Sequence, residues 1–202
     1  MKNRTYTSLS VLEKEYFFQY LQSIKSTKSL AYTNMWDINW QTKTNTLPYI
    51  LEYTDRFDGI NGVFHIIYEE DNIVACGGVY RSKFNDFVSM AGVRTWTDSK
   101  YRNNSLLREF LFPLHKAWSI EHDIKIIALS FNEYNKNLIQ VFRRIRLGEN
   151  IERIGNRQPH HLFYNDLNEV EFPVNIQQTK QWVVYEKLDP LFEFDWNNIR
   201  WN

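Results

Sequence analysis

The chain has 202 residues, of which 43% are hydrophobic and 16% aromatic; this is enough apolar material for a full core and excludes a disordered chain. Lysine plus arginine and aspartate plus glutamate each number 24, so the formal net charge is zero. This balance argues against a dedicated nucleic-acid-binding protein, whose affinity depends on a surplus of cations facing phosphates.

The number of cysteines and the length of the apolar stretches indicate the cellular compartment of the protein. The single cysteine, Cys76, excludes an intramolecular disulfide, and its apolar, strand-like surroundings predict a buried, inert thiol. No apolar stretch approaches the roughly 20 residues that cross a bilayer, and the first residues lack the apolar core of a signal peptide. We therefore expect a soluble, cytoplasmic protein with no membrane partner and no nucleic-acid partner.

We expect one domain over residues 1–202. Its core spans 62–188, preceded by a helical segment over 1–61 and followed by an aromatic tail over 189–202. The first predicted helix covers residues 10–25, where Ser10 and Glu13 form a capping box. Its apolar residues at helical spacing are Leu9, Leu12, Tyr16, Phe17, Tyr20 and Ile24.

An antiparallel meander follows. Gly62–Tyr68 and Ile73–Tyr80 flank the polar turn Glu69–Asn72, which predicts a β-hairpin. A third run, Phe87–Thr97, carries Gly92 in its middle, where a bulge or a close backbone approach is expected.

The second half of the chain alternates helices and strands. After the polar turn Asp98–Ser105, one helical face is formed by Leu106, Leu107, Phe110, Leu111, Leu114, Ala117 and Trp118, and Pro113 is expected to kink this helix. Ile124–Phe131 is typical of a buried strand. A further helix, with Leu138, Val141, Phe142 and Ile145 facing inward, precedes a closing pair of strands at His161–Tyr164 and Gln181–Leu188.

The strand, polar turn and helix over 87–120 predict an anion site. The first N–H groups of a helix have no intrahelical acceptor, and the helix dipole favours a negative charge beside them. Arg102, immediately before the helix, adds a guanidinium that suits a diphosphate.

At this point the sequence resembles a known family. Tyr101-Arg102-Asn103-Asn104-Ser105-Leu106-Leu107 resembles the acyl-CoA loop of the GNAT superfamily, in which Gln or Arg is followed by two variable residues, Gly, a variable residue, and Gly or Ala. Ile126–Phe131 followed by Asn135–Ile145 resembles the fifth strand and next helix of that family. The resemblance implies an α/β (α+β) fold with a mixed, mostly antiparallel central sheet, flanking helices, and a splay between the fourth and fifth strands.

The resemblance also implies a function: an N-acyltransferase that moves acetyl from acetyl-CoA to a primary amine, by direct attack while both substrates are bound. The backbone of Arg94, Thr95 and Trp96 would align the pantetheine arm, and Asn135 would bond that arm or a water. The diphosphate would be held by Arg102, Asn103, Asn104, Ser105 and Leu106. No metal is implied, because His160-His161 has no third ligand at metal spacing.

The proton-transfer groups are less defined. Ser130 and Asn132, near the end of the buried strand, are expected to face the cleft and hold a water, while His65, His160 and His161 are the other base candidates.

Three positions depart from the family pattern: Ser105 and Leu107 replace small residues, so that Leu107 has to face the core, and Phe142 replaces the general-acid tyrosine. Tyr134 is the nearby phenol. Two alternatives therefore stay open: a non-catalytic relative that serves as an acyl-CoA sensor or protein-interaction module, and a structural protein that binds a partner through its aromatic tail.

Overall fold

A computed structural model of the chain describes residues 1–23, 47–82, 85–101, 106–132, 158–159 and 180–193. The chain divides into two compact units. The first comprises Met1–Tyr80 and Gly92–His115, and the second comprises Arg81–Ala91 and Lys116–Asn202. Within the described ranges, no helix combines the length and the apolar character that a membrane span requires.

The predicted elements that fall on described residues occur in the predicted order. The strands are β1 (Lys2–Thr5), β2 (Gly62–Glu69), β3 (Asn72–Arg81), β4 (Val88–Thr97), β5 (Ile126–Asn132), β6 (Gln158–Pro159) and β7 (Lys180–Lys187). The helices are α1 (Val11–Ser23), α2 (Leu47–Glu52) and α3 (Phe112–Glu121), with a π-helical turn over Leu107–Leu111 leading into α3. Short 3-10 turns cover Tyr6–Ser8, Asp55–Phe57 and Ser99–Tyr101.

In the first unit, β1 to β4 lie side by side in chain order. The predicted hairpin is confirmed, since β2 pairs antiparallel with β3 around a turn at Glu70 and Asp71. Its register places His65 opposite Gly77 and Cys76 opposite Ile66. Cys76 is fully buried, as expected, and burial raises the pKa of its thiol, which disfavours a nucleophilic role.

Strand β1 was not predicted. Its residues, Lys2 to Thr5, pair antiparallel with Tyr68 to His65 of β2. The run Lys-Asn-Arg-Thr has no apolar alternation because it occupies the edge of the sheet, where charged side chains face solvent. Composition alone therefore gave no signal for this strand.

Helix α1 lies within the predicted span and has the predicted capping box. The Ser10 backbone N–H donates to Glu13 Oε2 at 2.8 Å, and the Glu13 N–H donates to Ser10 Oγ at 3.4 Å. The buried face, however, is set by Leu9, Phe17 and Leu21, with Phe17 packed against Phe64 of β2. Of the other predicted apolar positions, Leu12 is 77% and Tyr16 50% exposed, Tyr20 is half-buried, and Ile24 lies outside the described residues.

The helix after β4 departs from a regular α-helix before Pro113. The Phe112 N–H bonds the Leu107 carbonyl, five residues back, which makes the preceding turn wider than an α-turn. This wide turn stands where the sequence predicts a kink, next to the proline that lacks an N–H. Beyond it the buried face consists of Leu111, Phe112, His115, Trp118 and Ser119, whereas the predicted inward residues Phe110 and Ala117 are exposed.

In the second unit, the strand order is β4, β5, β7, β6. Val88–Ala91 of β4 pairs parallel with Ile126–Leu129 of β5, and β5 pairs antiparallel with β7 along its length. The ladder between β4 and β5 ends at Ala91 and Leu129, although each strand continues. In the same unit the Ser89 and Ser119 hydroxyls bond at 2.8 Å.

The expected fold class is thus confirmed: a mixed, mostly antiparallel sheet with flanking helices and a splayed parallel pair. Because β1 precedes the three predicted strands, the expected third strand is β4 and the buried strand is β5. The predicted strand at Gln181–Leu188 corresponds to β7. The predicted helix around Leu138–Ile145 and the strand His161–Tyr164 lie outside the described residues.

Candidate functional site

The second half of β4 has an irregular backbone. Gly92 has φ of 73°, in agreement with the expected irregularity, and Arg94 has φ of 51°. A left-handed conformation costs a non-glycine residue on the order of 1 kcal/mol, so Arg94 is held there by its surroundings. Such a segment turns peptide groups away from the regular ladder and makes them available to a ligand. Strained backbone of this kind is common at binding sites.

The Trp96 side chain belongs to the core, and the Thr95 hydroxyl is buried although the residue as a whole is half-buried. Trp96 is 2% exposed and lies edge-on to the Tyr20 ring at 5.9 Å. The Tyr20 hydroxyl donates to the Ile73 carbonyl at 2.9 Å, and burial raises the Tyr20 pKa to about 12. Thr95 packs against Gly77, where an added Cβ would lie 2.6 Å from the Thr95 Oγ1. Any contact of this stretch with a ligand is therefore expected through its backbone.

The turn after β4 is fixed by backbone hydrogen bonds. The Asp98 N–H donates to the Val74 carbonyl at 2.9 Å, and the Asp98 carbonyl accepts from the Tyr101 N–H at 2.9 Å. The Asp98 carboxylate also accepts from the Lys100 N–H at 2.8 Å. These hydrogen bonds fix the backbone from Asp98 to Tyr101.

Both described residues that border 102–105 are buried in one cluster. Tyr101 is 8% exposed and Leu106 is 2% exposed, and both pack with Ile67, Val74, Ala75 and Leu111. Leu107 packs against the same cluster. Its bulky side chain therefore faces the core, as its position in the acyl-CoA loop pattern requires.

His65 lies in a buried histidine pair. Its ring centroid is 5.6 Å from that of His115, its Nδ1 donates to Asn3 Oδ1 at 3.1 Å, and His115 Nε2 donates to the Gly77 carbonyl at 3.3 Å. Burial lowers the pKa of His65 to about 4 and that of His115 to about 3. Both imidazoles are therefore neutral near pH 7, and the packing of His65 favours a structural role over that of a general base.

In the second unit, the two predicted catalytic residues lie on β5. Ser130 pairs with Val183 of β7, and Asn132 pairs with Gln181. Both positions are at the carboxyl end of the strand.

Several predicted site residues lie outside the described residues. They are Arg102, Asn103, Asn104, Ser105, Tyr134, Asn135, Phe142, His160 and His161. The described residues Arg94, Thr95, Trp96 and Leu106 all belong to the first unit, in the end of β4 and the start of the following helix. Their roles stay predictions.

Sequence reasoning missed one polar cluster beside this region. The Tyr101 hydroxyl donates to the Glu69 carboxylate, and Lys100 Nζ donates to the Tyr101 oxygen at 3.1 Å. Glu69 ends β2, about thirty residues earlier, so the pairing was not visible in local sequence. In the sequence, a tyrosine directly before a predicted anion-binding loop could have indicated that its hydroxyl has a polar partner.

Comparisons with known proteins agree with this architecture. No protein-family profile and no curated protein matches the chain in sequence. The structure matches a GNAT-family acetyltransferase from Staphylococcus aureus Mu50 with a TM-score of 0.55 and 16% identity, over 93% of this chain and 99% of that one. An acetyltransferase from Streptococcus agalactiae 2603 matches with a TM-score of 0.57 and 16% identity, over 90% and 96% of the two chains.

A variant of spermidine N-acetyltransferase from Vibrio cholerae matches with a TM-score of 0.56 and 8% identity, over 93% of this chain and 95% of that one. At identities this low, the structural likeness establishes the fold and leaves the substrate open. With the strand order, the splayed parallel pair and the irregular fourth strand already described, these matches show that the chain has the GNAT acetyltransferase fold.

Proposed function

We propose that the chain is an acyl-CoA-dependent N-acyltransferase that transfers acetyl from acetyl-CoA to a primary amine. The observation that carries the proposal is the pair of buried anchors, Tyr101 and Leu106, which border residues 102–105 between the strained end of β4 and the next described helix. In a GNAT fold, this is the region expected to receive the cofactor.

The proposed cofactor contacts fall into two groups. The backbone of Arg94, Thr95 and Trp96 would align the pantetheine arm, assisted by Asn135. Arg94 and the nearby Gly92 are both in the left-handed conformation. The N–H groups of residues 103–106 and the Arg102 guanidinium would bind the diphosphate. The buried side chains of Trp96 and Leu106 support backbone contacts in both groups.

The proposed reaction is a direct displacement. The amine nitrogen attacks the thioester carbonyl, an N–H of the β4 backbone stabilises the oxyanion, and the tetrahedral intermediate expels the CoA thiolate. A water held by Ser130 and Asn132 would accept the proton that the attacking nitrogen loses.

Phe142 cannot protonate the leaving thiolate. General acid catalysis typically contributes about 10²–10⁴-fold. Because a thiol with a pKa of about 8.5 can leave as the anion, the reaction proceeds without a general acid, but more slowly.

The same phenylalanine favours the second candidate function, a non-catalytic acyl-CoA sensor or protein-interaction module of the same fold. Calorimetric titration with acetyl-CoA and CoA tests whether the chain binds the cofactor, and absence of binding at millimolar ligand contradicts both enzyme and sensor. Release of free thiol is then measured with a panel of amines that includes spermidine, amino acids, aminoglycosides and peptide N-termini. Cofactor binding without thiol release for any amine favours the sensor.

The Arg102→Ala variant is expected to weaken CoA binding by at least about 1.5 kcal/mol, the scale of a hydrogen bond to a charged group. The matched control is Arg108→Ala, because Arg108 is half exposed and its guanidinium is paired with Glu109 at 2.9 Å. Calorimetry should give a weaker dissociation constant for the first variant and an unchanged one for the second. An unchanged constant for Arg102→Ala refutes the placement of the diphosphate.

A further inference from the structure

A groove lies between the edge strand β1 and the helix that follows β4. Among the described strands, β1 has a neighbour on one side only, so backbone N–H and C=O groups on its outer side point away from the sheet. Beside this edge is a cavity of about 260 Å³, lined by Met1–Asn3, Ile67, Glu109, Phe110, Pro113 and Leu114. All of these residues belong to the first unit. We call this cavity and the adjoining strand edge the β1 groove.

The walls of the β1 groove are mainly apolar. Phe110 is 40% exposed there, although its side chain is large and aromatic. Ile67 is buried and belongs to the same apolar cluster as Leu114. The Glu109 carboxylate is paired with the Arg108 guanidinium at 2.9 Å, so its charge is balanced. An apolar side chain would therefore gain free energy by entering the groove.

The two faces of β1 differ in chemistry. Asn3 is paired with Ile67, so the two side chains share the face of the sheet on which the groove lies. Lys2 and Arg4 lie one position away along the strand and therefore on the opposite face, where Arg4 donates to Glu13 of α1. Glu13 balances the Arg4 charge, whereas no ion pair joins Lys2 to another residue that the structure describes. A strand added to this edge would thus meet an apolar groove on one face and a positive charge on the other.

We propose that the β1 groove binds an extended peptide segment of a partner protein, in which apolar residues alternate with acidic ones. The peptide adds a strand to the edge of the sheet and forms main-chain hydrogen bonds with β1. Because successive side chains of a strand point to opposite faces, its apolar residues enter the groove beside Phe110 and its carboxylates lie near Lys2.

A second copy of the chain fits this edge less well. Two β1 strands side by side would each bring Lys2 and Arg4 to the shared edge, and like charges on neighbouring strands are unfavourable. The proposed peptide binding is independent of acyl transfer, because it uses none of the residues assigned to that reaction.

Blocked five-residue peptides test the proposal directly. Glu-Leu-Glu-Leu-Glu is expected to bind and to shift the backbone amide signals of Lys2–Thr5 and Phe110 in NMR spectra of the whole chain. Lys-Leu-Lys-Leu-Lys examines the charge and Glu-Ser-Glu-Ser-Glu the apolar contact, and both should bind at least about fivefold more weakly. N-methylation of the two leucines in one peptide and of the glutamates in another should block binding in one case only, because alternate N–H groups of a strand point to opposite sides.

Substitutions in the chain separate the two determinants. Phe110→Ala should weaken binding of the acidic peptide by at least about tenfold, as for the loss of an aromatic anchor. Tyr53→Ala, which removes an aromatic ring that is 76% exposed and does not line the groove, is the matched control and should bind like the wild type. Lys2→Glu should weaken the acidic peptide by about threefold to fivefold and strengthen the basic one. Circular dichroism checks that each variant keeps its fold.

Several results would overturn the proposal. They are absence of binding at millimolar peptide, equal binding of the acidic and basic peptides, equal effects of Lys2→Glu on both, and amide shifts that lie outside β1 and the groove. Sedimentation that reveals a dimer dissociated by Phe110→Ala would assign the groove to a second copy instead.

Discussion

Gly77→Ala is expected to lower the free energy of unfolding by about 2–3 kcal/mol, the cost typical of overpacking a close-packed interior. A Cβ at Gly77 would lie 2.6 Å from Thr95 Oγ1, 3.0 Å from Leu111 Cδ2 and 3.3 Å from Thr95 Cα. The first distance is shorter than a Cβ contact allows and the other two are unusually tight, so Thr95 and Leu111, and with them β4 or the following helix, have to move. Urea denaturation monitored by fluorescence measures the loss.

The Thr95→Ala variant provides the matched control. Thr95 Oγ1 is buried and has no hydrogen-bond partner among the described residues, so its removal is expected to cost less than about 1 kcal/mol. In the double variant, the nearest clash is absent and much of the stability lost in Gly77→Ala should return. Full additivity of the two single effects would show that Gly77 and Thr95 do not restrict each other.

The second large effect concerns pH and the histidine pair. In the unfolded chain each imidazole titrates near pH 6.5, whereas burial lowers the pKa of His65 to about 4 and that of His115 to about 3. Below pH 6.5 the unfolded state therefore binds protons that the folded state excludes. The associated stability is present above pH 6.5 and is lost as the pH falls toward 4.

Each histidine is expected to account for about 1.5 kcal/mol of lost stability between pH 6.5 and 5. Chemical denaturation at half-unit pH intervals measures the slope. The carboxyl groups with lowered pKa, such as Glu13 and Asp58, titrate below this window, so the interval isolates the imidazoles.

The variants His65→Gln and His115→Gln test the assignment. Glutamine is close to imidazole in size, can donate a hydrogen bond and does not titrate. Each variant should flatten the pH dependence, and the double variant should remove most of it between pH 5 and 6.5. An undiminished slope in the double variant would assign the proton uptake to other groups.

The strands that bury apolar side chains were predictable because their signal is strong. The hairpin around Glu70 and Asp71 and the apolar strand β5 follow from runs rich in β-branched residues. Strand β1 was not predictable, since an edge strand with an exposed Lys2 and a half-buried Arg4 paired with Glu13 carries no such pattern.

Helix faces were less predictable than helix spans. On α1, the exposed Leu12 and Tyr16 share the helical spacing of the buried residues, and only tertiary packing separates the two groups. After Leu107, the wide turn shifts the helical period, so that Phe110 is exposed and Phe112 and His115 are buried. A constant period of 3.6 residues cannot anticipate this change.

Some features of the candidate site could be predicted from the sequence and others could not. The position of the turn after β4 follows from a polar stretch between a strand and a helix, and the irregularity at Gly92 follows from a glycine within a strand. The left-handed conformation of Arg94 carries no local signal, because arginine does not favour it. The contact between Glu69 and Tyr101 depends on the pairing of distant strands and becomes visible only in the fold.

The wide turn at Leu107–Leu111 contains one residue more than an α-turn needs. Because the five residues of this turn cover nearly the same rotation as four residues of an α-turn, deleting one of them should give an uninterrupted α-helix and leave Leu106 in the apolar cluster. Deleting one residue from a regular α-helix would instead rotate its two ends relative to each other by about 100°. The wide turn is therefore the place where this helix tolerates a change of length.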